Sequence, residues 1–394
     1  MADACDRVCA CAAAFVPVGI VLGNVVFETA LALVCLLYFF RLALLRENPL
    51  PFLKTQPVIL AWFGWFAVAA VSVVANGAGS KGLGHDLVLV RFPLFLAAVV
   101  SLGQRRPLFS TLSRGLAAAV AAAAINTASA YLLGWDLVGH SLERYIYKLQ
   151  EANRIASLMP YAAPFLMGWA LGGKNLSQNK RIALLALCAL AFGQALQTRI
   201  RTSILGAAAG LATVGSLLAW RRRKAPVAAA AVLLCVAAAG VLFFVGDNFR
   251  DLGSLRDRVY MWQVSVRIWQ DNPLLGSGVS SFRNCYEAVA ATARVKPLFG
   301  PGTYSQSAYH AHSLPVMLLA ATGAAGLLAF ALVYYLLAKR AFTTARGARA
   351  GLFSFPLVVA SLGVTGFNPY SSCYQAILAF FTVLILLPEQ DCAA

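Results

Sequence analysis

Two of the four histidines in the chain, His310 and His312, stand two residues apart in "SQSAYHAHSLPVMLLAATGAAG", just ahead of a long apolar run. An unperturbed imidazole titrates at about 6.5, so one such group can take a proton from a hydroxyl near neutral pH. Two imidazoles at i and i+2 could also share a metal. No carboxylate or cysteine cluster follows to complete such a site, and Cys9 and Cys11 form a lone C-x-C. Arginines are the second group. Arg199 and Arg201 in "QTRIRTS" fall in a short connection between apolar runs, Arg258 lies four residues before Trp262, and Arg91 lies inside "LVLVRFPLF". A guanidinium stays charged and presents a planar fork of donors that matches phosphate oxygens. The same side chains can instead reach from a helix end to lipid headgroups. An arginine within an apolar run marks a paired or functional group. A base beside arginines suits a reaction that expels a phosphate, with His312 as base and His310 binding sugar or orienting it. From composition alone, transport or channel function stands ahead of that chemistry. His85 and His140 are read as structural.

These residues must be positioned by membrane helices. Of the 394 residues, 60% are hydrophobic and only 12% charged, about half the charged share of soluble proteins. Mean hydropathy is +0.73. The apolar residues come in blocks of roughly 17–25, enough to cross ~30 Å of hydrocarbon. This is an all-α polytopic membrane protein; a β-barrel would show short alternating segments. The net charge of +17 is read as lysine and arginine collected in cytoplasmic loops, not as a nucleic-acid surface.

Twelve spans are expected, at about 7–23, 25–43, 57–75, 86–103, 112–134, 155–173, 181–198, 203–220, 226–246, 312–338, 352–367 and 373–388. The stretch "CAAAFVPVGIVLG" is taken as a retained first helix, not a cleaved signal. Basic residues mark alternate loops, Arg349 among them, which places both termini in the cytoplasm. The chain then divides into 1–246 with nine spans, an outer loop at 247–311 with short helices, and 312–394 with three spans. An outer connection of roughly 65 residues is usually functional. Inside it, Val259, Trp262, Val266 and Trp269 recur at helical spacing, predicting a helix with one apolar face. Asn272-Pro273 should end that helix, and "GSG" at 276–278 is a turn or a phosphate-cradling stretch of backbone. No internal repeat stands out, so the usual sequence sign of a secondary transporter is missing.

The order of these features resembles the O-antigen ligase family (WaaL), which shares its domain with the Wzy-type O-antigen polymerases. The resemblance rests on Arg258 four before Trp262, on Asn272, Pro273, Gly276, Gly278 and Phe282, on His312 eleven before Gly323, and on Arg201 five before Gly206. Arg199 is a near miss for the same arginine. The motif matches cover about 258–326, and the span layout extends them loosely to most of the chain. Ser313, Ala321 and Ile200 depart from the usual Asn, acidic residue and Ser.

The resemblance implies a GT-C-like glycosyltransferase architecture without metal or nucleotide cofactor. It implies transfer of a glycan from undecaprenyl pyrophosphate to a sugar hydroxyl of lipid A-core, with inversion, at the periplasmic face of a bacterial inner membrane. His312 would act as base, with Arg201 and Arg258 on the pyrophosphate. Arg199, Arg91, His310 and Trp262 are expected to contact substrate. A polymerase or a protein O-oligosaccharyltransferase of the same family remains an alternative, as does a transporter of lipid-linked glycans.

Overall fold

Inside a bilayer the backbone must satisfy its own polar groups, so long apolar runs fold as helices. The computed structural model describes residues 2–77, 84, 87–143, 145, 154–173, 176–221, 252–292, 295–299, 304–365 and 368–388. In chain order the helices are α1 (Ala2–Leu22), α2 (Asn24–Leu45), the short α3 (Leu50–Lys54), α4 (Pro57–Ala75), α5 (Arg91–Gly103), α6 (Phe109–Leu133) and α7 (Arg154–Gly172). There follow α8 (Gln178–Gln197), α9 (Arg201–Arg221), α10 (Leu252–Asp271), α11 (Phe282–Ala290), α12 (Leu314–Thr344), a 3-10 helix (Gly347–Ser354), α13 (Phe355–Thr365) and α14 (Ser372–Leu386). Among the described residues nine helical stretches are long and apolar enough to cross a membrane, with Leu87–Gly103 and Ser372–Leu386 as shorter apolar helices. The chain is an all-helical, multi-pass membrane protein. β-Pairing among the described residues is limited to an isolated Trp135–Ser141 bridge. The span expected at 226–246 lies outside the described residues, and the other expected spans fall on these helices.

Helix α7 is the most enclosed of the candidate spans and packs against α8, α9 and the 3-10 helix. Glycine lets the backbones meet. A Cβ on Gly168 would strike the backbone of Gly351, and one on Gly172 the carbonyl of Gly347. Close backbone approach through small residues is how helices gain packing where hydrophobic driving force is absent.

At one end of the bundle, charges are neutralised in pairs. Buried Arg41 of α2 holds Asp6 of α1 at 2.8 Å and Glu47 at 2.9 Å, and Arg105 reaches Glu47 at 2.7 Å. Arg349, read from sequence as a loop charge, is instead only 1% exposed. Its guanidinium lies 4.8 Å from the centre of the Phe109 ring and donates to the Leu387 carbonyl at 2.8 Å. It thereby caps carbonyls at the end of α14, which a helix terminus leaves unsatisfied.

The helix expected in the long connection is present as α10, but its buried face differs from the expectation. Tyr260, Val264 and Ile268 are buried, while Val259, Trp262, Val266 and Trp269 are only half-buried. Both stripes obey helical spacing. The i, i+4, i+8 set faces the bundle because α10 packs on α12 and α11.

Helix α12 is broken at Gly323 (φ 65°, ψ −165°). The freed polar groups are taken up by the stretch after α10. Ser277 N–H donates to the Ala320 carbonyl and Gly278 N–H to that of Ala321, both at 2.9 Å. Ala324 N–H donates to the Pro273 carbonyl at 2.9 Å and Ala325 N–H to that of Leu274 at 3.1 Å. Glycine is required on both sides. Gly276 and Gly323 have positive φ, and a Cβ on either would lie within 2.7 Å of the opposing backbone. "GSG" is thus a turn, and the amides of Ser277 and Gly278 are spent on helix carbonyls, not offered to a phosphate.

Candidate functional site

The two histidines sit in a segment clamped by α10 and α11. Ser305 N–H donates to Asp257 at 2.8 Å, and its carbonyl accepts from Tyr286 at 3.1 Å. Ser307 donates to Glu287 at 2.6 Å, and Arg283 donates to the Tyr309 hydroxyl at 2.7 Å. Tyr304 lies on Tyr260, with ring centres 4.8 Å apart. Ala311 is fully buried between the histidines. The two imidazoles are close, with ring centres 4.0 Å apart. His312 was expected to open α12. It lies just before that helix, whose N-cap position is Ser313.

His312 is in the left-handed region (φ 50°), which a side chain with a Cβ occupies at a cost of about 1–2 kcal/mol. Among the described residues the only other non-glycine positions of this kind are Arg199 (φ 55°) and Arg46 (φ 50°). Arg46 is an ordinary helix C-cap. The other two are candidates from sequence. Such strain persists only where the surroundings over-determine it, and it gathers at functional sites.

Charge completes the arrangement. Burial, then His310, then Arg258 push the His312 imidazole down to about 4. Burial and Arg258 lower His310 as well. Arg258 of α10 is itself lowered by burial and by Arg201, the first residue of α9. Three stretches far apart in the chain thus place Arg258 within electrostatic reach of Arg201 on one side and of His310 and His312 on the other. Both imidazoles are neutral at pH 7, so each has a nitrogen able to accept a proton. Among the described residues, no group of three or more His, Cys, Asp or Glu side chains converges to hold a metal ion.

The remaining candidates separate. Arg199, in the turn between α8 and α9, and Arg201, which starts α9, are both exposed; of the two, Arg201 lowers Arg258. Trp262 is half-buried on α10, and its indole N–H is enclosed without a hydrogen-bond partner among the described residues. Arg91 is paired between helices. It starts α5, pairs with Glu28 of α2 at 2.7 Å and donates to Ser372 of α14 at 2.9 Å. It ties three helices together, as an arginine at membrane depth should. Sequence reasoning passed over Arg154, the first residue of α7, whose guanidinium lies against Gly23. Ser203 donates to the Ala156 carbonyl at 2.7 Å, so the starts of α7 and α9, with Arg154 and Arg201, share one end of the bundle. An arginine in "EANRIAS", just before an apolar run, was the available signal.

Comparison with known families bears on the same stretch. Residues 182–331 match the family model described as O-antigen ligase. Over this stretch, less than half of the chain, the protein is similar to the O-antigen ligase family. A search of curated proteins finds no match. The domain takes in α8 through most of α12 and holds Arg199, Arg201, Arg258, Trp262, His310 and His312. Arg91 and Arg154 lie outside it. The domain supports activity of the ligase and polymerase type, on lipid-linked glycan in a membrane setting.

Proposed function

We propose that the protein transfers a glycan from undecaprenyl pyrophosphate to a sugar hydroxyl of lipid A-core. The reading places it in a bacterial inner membrane, with cytoplasmic termini and a periplasmic site. The observation that carries it is the convergence of a neutral histidine pair with Arg258 and Arg201.

His312 accepts the proton of the acceptor hydroxyl as that oxygen attacks the anomeric carbon. The bond from that carbon to the pyrophosphate oxygen breaks on the opposite face, which inverts the centre. Arg201 and Arg258 hold the charge that develops on the leaving group. His310, Trp262 and Arg199 line the approach, and Arg91 supports the helices behind it. The carrier's tail stays in the bilayer, since removing it costs ~0.8 kcal/mol per methylene. In the free protein His312 is a weak base. A pyrophosphate on Arg258 offsets one of the fields that acidify the imidazole, so the donor strengthens the base that the acceptor then needs.

The test is reconstitution with synthetic undecaprenyl-pyrophosphate glycan and lipid A-core in EDTA, with wild type beside His312→Ala. Ligated product from wild type alone is expected. Longer lipid-linked glycan would make the protein a polymerase, and glycosylated protein an O-oligosaccharyltransferase. Movement of the donor across vesicles without a new bond would make it a transporter. Equal product from His312→Ala would remove the base assignment.

A further inference from the structure

The break in α12 has a third party. Helix α4 lies outside the matched domain and ends beside the break. Ser72, in its last turn and fully buried, donates toward the Leu275 carbonyl and lies 3.0 Å from that of Ala321. Its hydroxyl thus spans both sides of the junction between the 273–278 stretch and α12. Asn76, which caps α4, donates to the Gly276 carbonyl at 2.9 Å and to Ser72's own carbonyl at 2.7 Å.

The placement matters because of what hangs from each side. The 273–278 stretch is the direct continuation of α10, which carries Arg258. The half-helix before Gly323 begins at Leu314, two residues after His312. The four backbone hydrogen bonds across the break set the two elements against each other in one register. Ser72 and Asn76 fix that register to the bundle.

We propose that Ser72 and Asn76 are positioning residues for the reaction, holding the arginine-bearing and histidine-bearing elements at a fixed separation. The role rests on the glycan-transfer reading. Arg258 and His312 act on opposite sides of the reacting carbon, so a small change in their separation weakens the transition state more than it weakens either substrate. Misplacement by about 1 Å can lower a rate on the order of 100-fold.

The discriminating variant is Asn76→Asp. It keeps the shape of the side chain but replaces the donor with an oxygen facing the Gly276 carbonyl oxygen. The reconstituted assay should give a kcat lowered by about 10- to 100-fold, with donor and acceptor KM within about twofold. Ser72→Ala should behave likewise, and Ser72→Thr, which retains the hydroxyl, should recover most of the rate. Hydrogen–deuterium exchange on peptides covering 273–278 and 320–325 should rise in Asn76→Asp while the rest of the bundle is unchanged. Wild-type kcat in Asn76→Asp, beside an inactive His312→Ala, overturns the positioning role. So does a rate loss matched by loss of folded protein in every variant, including Ser72→Thr. Wild type that transfers nothing overturns the transfer reading, and the role with it. Unchanged exchange in Asn76→Asp overturns the latch itself.

Discussion

Two arginines of this protein, buried Arg41 and half-buried Arg258, live in opposite electrostatic settings. Arg41 has Asp6 at 2.8 Å and Glu47 at 2.9 Å. Arg258 makes no salt bridge among the described residues, and the charge that acts on it is another arginine, Arg201. The first arrangement is complete in itself and holds α1 to α2. The second sets positive charge beside two neutral imidazoles, a setting suited to binding an anion. Withdrawal from water alone therefore does not mark a functional arginine; the sign of its neighbours does.

That contrast can be broken from either side. His312→Ala should lower transfer by about 10²–10⁴-fold, the range of a lost general base, with the protein still folded in detergent. Arg258→Gln should lower kcat by about 10²–10³-fold, as when one donor to developing charge is removed. Asp6→Asn should do the reverse. It removes one of the two carboxylates on Arg41 and is expected to destabilise by about 1.5–3 kcal/mol, read as a lower melting temperature, with transfer per folded molecule unchanged.

The pH profile sharpens the comparison further. Burial, His310 and Arg258 hold His312 near 4, and its proton-accepting form is the one present above that value. The acid limb of kcat/KM should therefore fall near pH 4, not 6.5. Arg258→Gln removes one acidifying field, so the limb should move to higher pH in that variant. A limb that stays in place would mean that Arg258 does not act on the base. The smallest effect is expected at Arg199. It is exposed and does not act on Arg258, so Arg199→Gly should leave transfer within about threefold. It should also stabilise by ~1 kcal/mol, since glycine accepts the left-handed backbone there.

Much of this was legible in the sequence. The sequence points to the histidine pair ahead of an apolar run, to Arg201 in a short connection between two such runs, and to Arg258 four residues before Trp262. Helix α10 was found by its spacing. Its register was not, because Val259-Trp262-Val266-Trp269 and Tyr260-Val264-Ile268 are equally good stripes until a neighbour chooses one. Gly323 was matched only as a motif residue eleven after His312. The fold gives the spacing a cause, since it fits a half-helix between the histidine and a backbone break. Arg91 and Arg349 looked like exceptions or loop charges, and their partners Glu28, Ser372 and Leu387 lie too far along the chain to be paired by inspection.

The sequence by itself determined what depends on local composition: that the chain crosses a membrane many times, where the apolar helices run, and which residues have the chemistry of a base and of anion ligands. Only the tertiary structure decided which of these residues meet. It brought Arg258 to Arg201 and to the histidines, paired Arg91 with Glu28, and closed the break at Gly323 with the 273–278 stretch. The physical reason is the range of the interactions. Hydropathy and helical period act between near neighbours in the chain, whereas a broken helix or a buried charge is satisfied by whatever group the fold brings within about 3 Å.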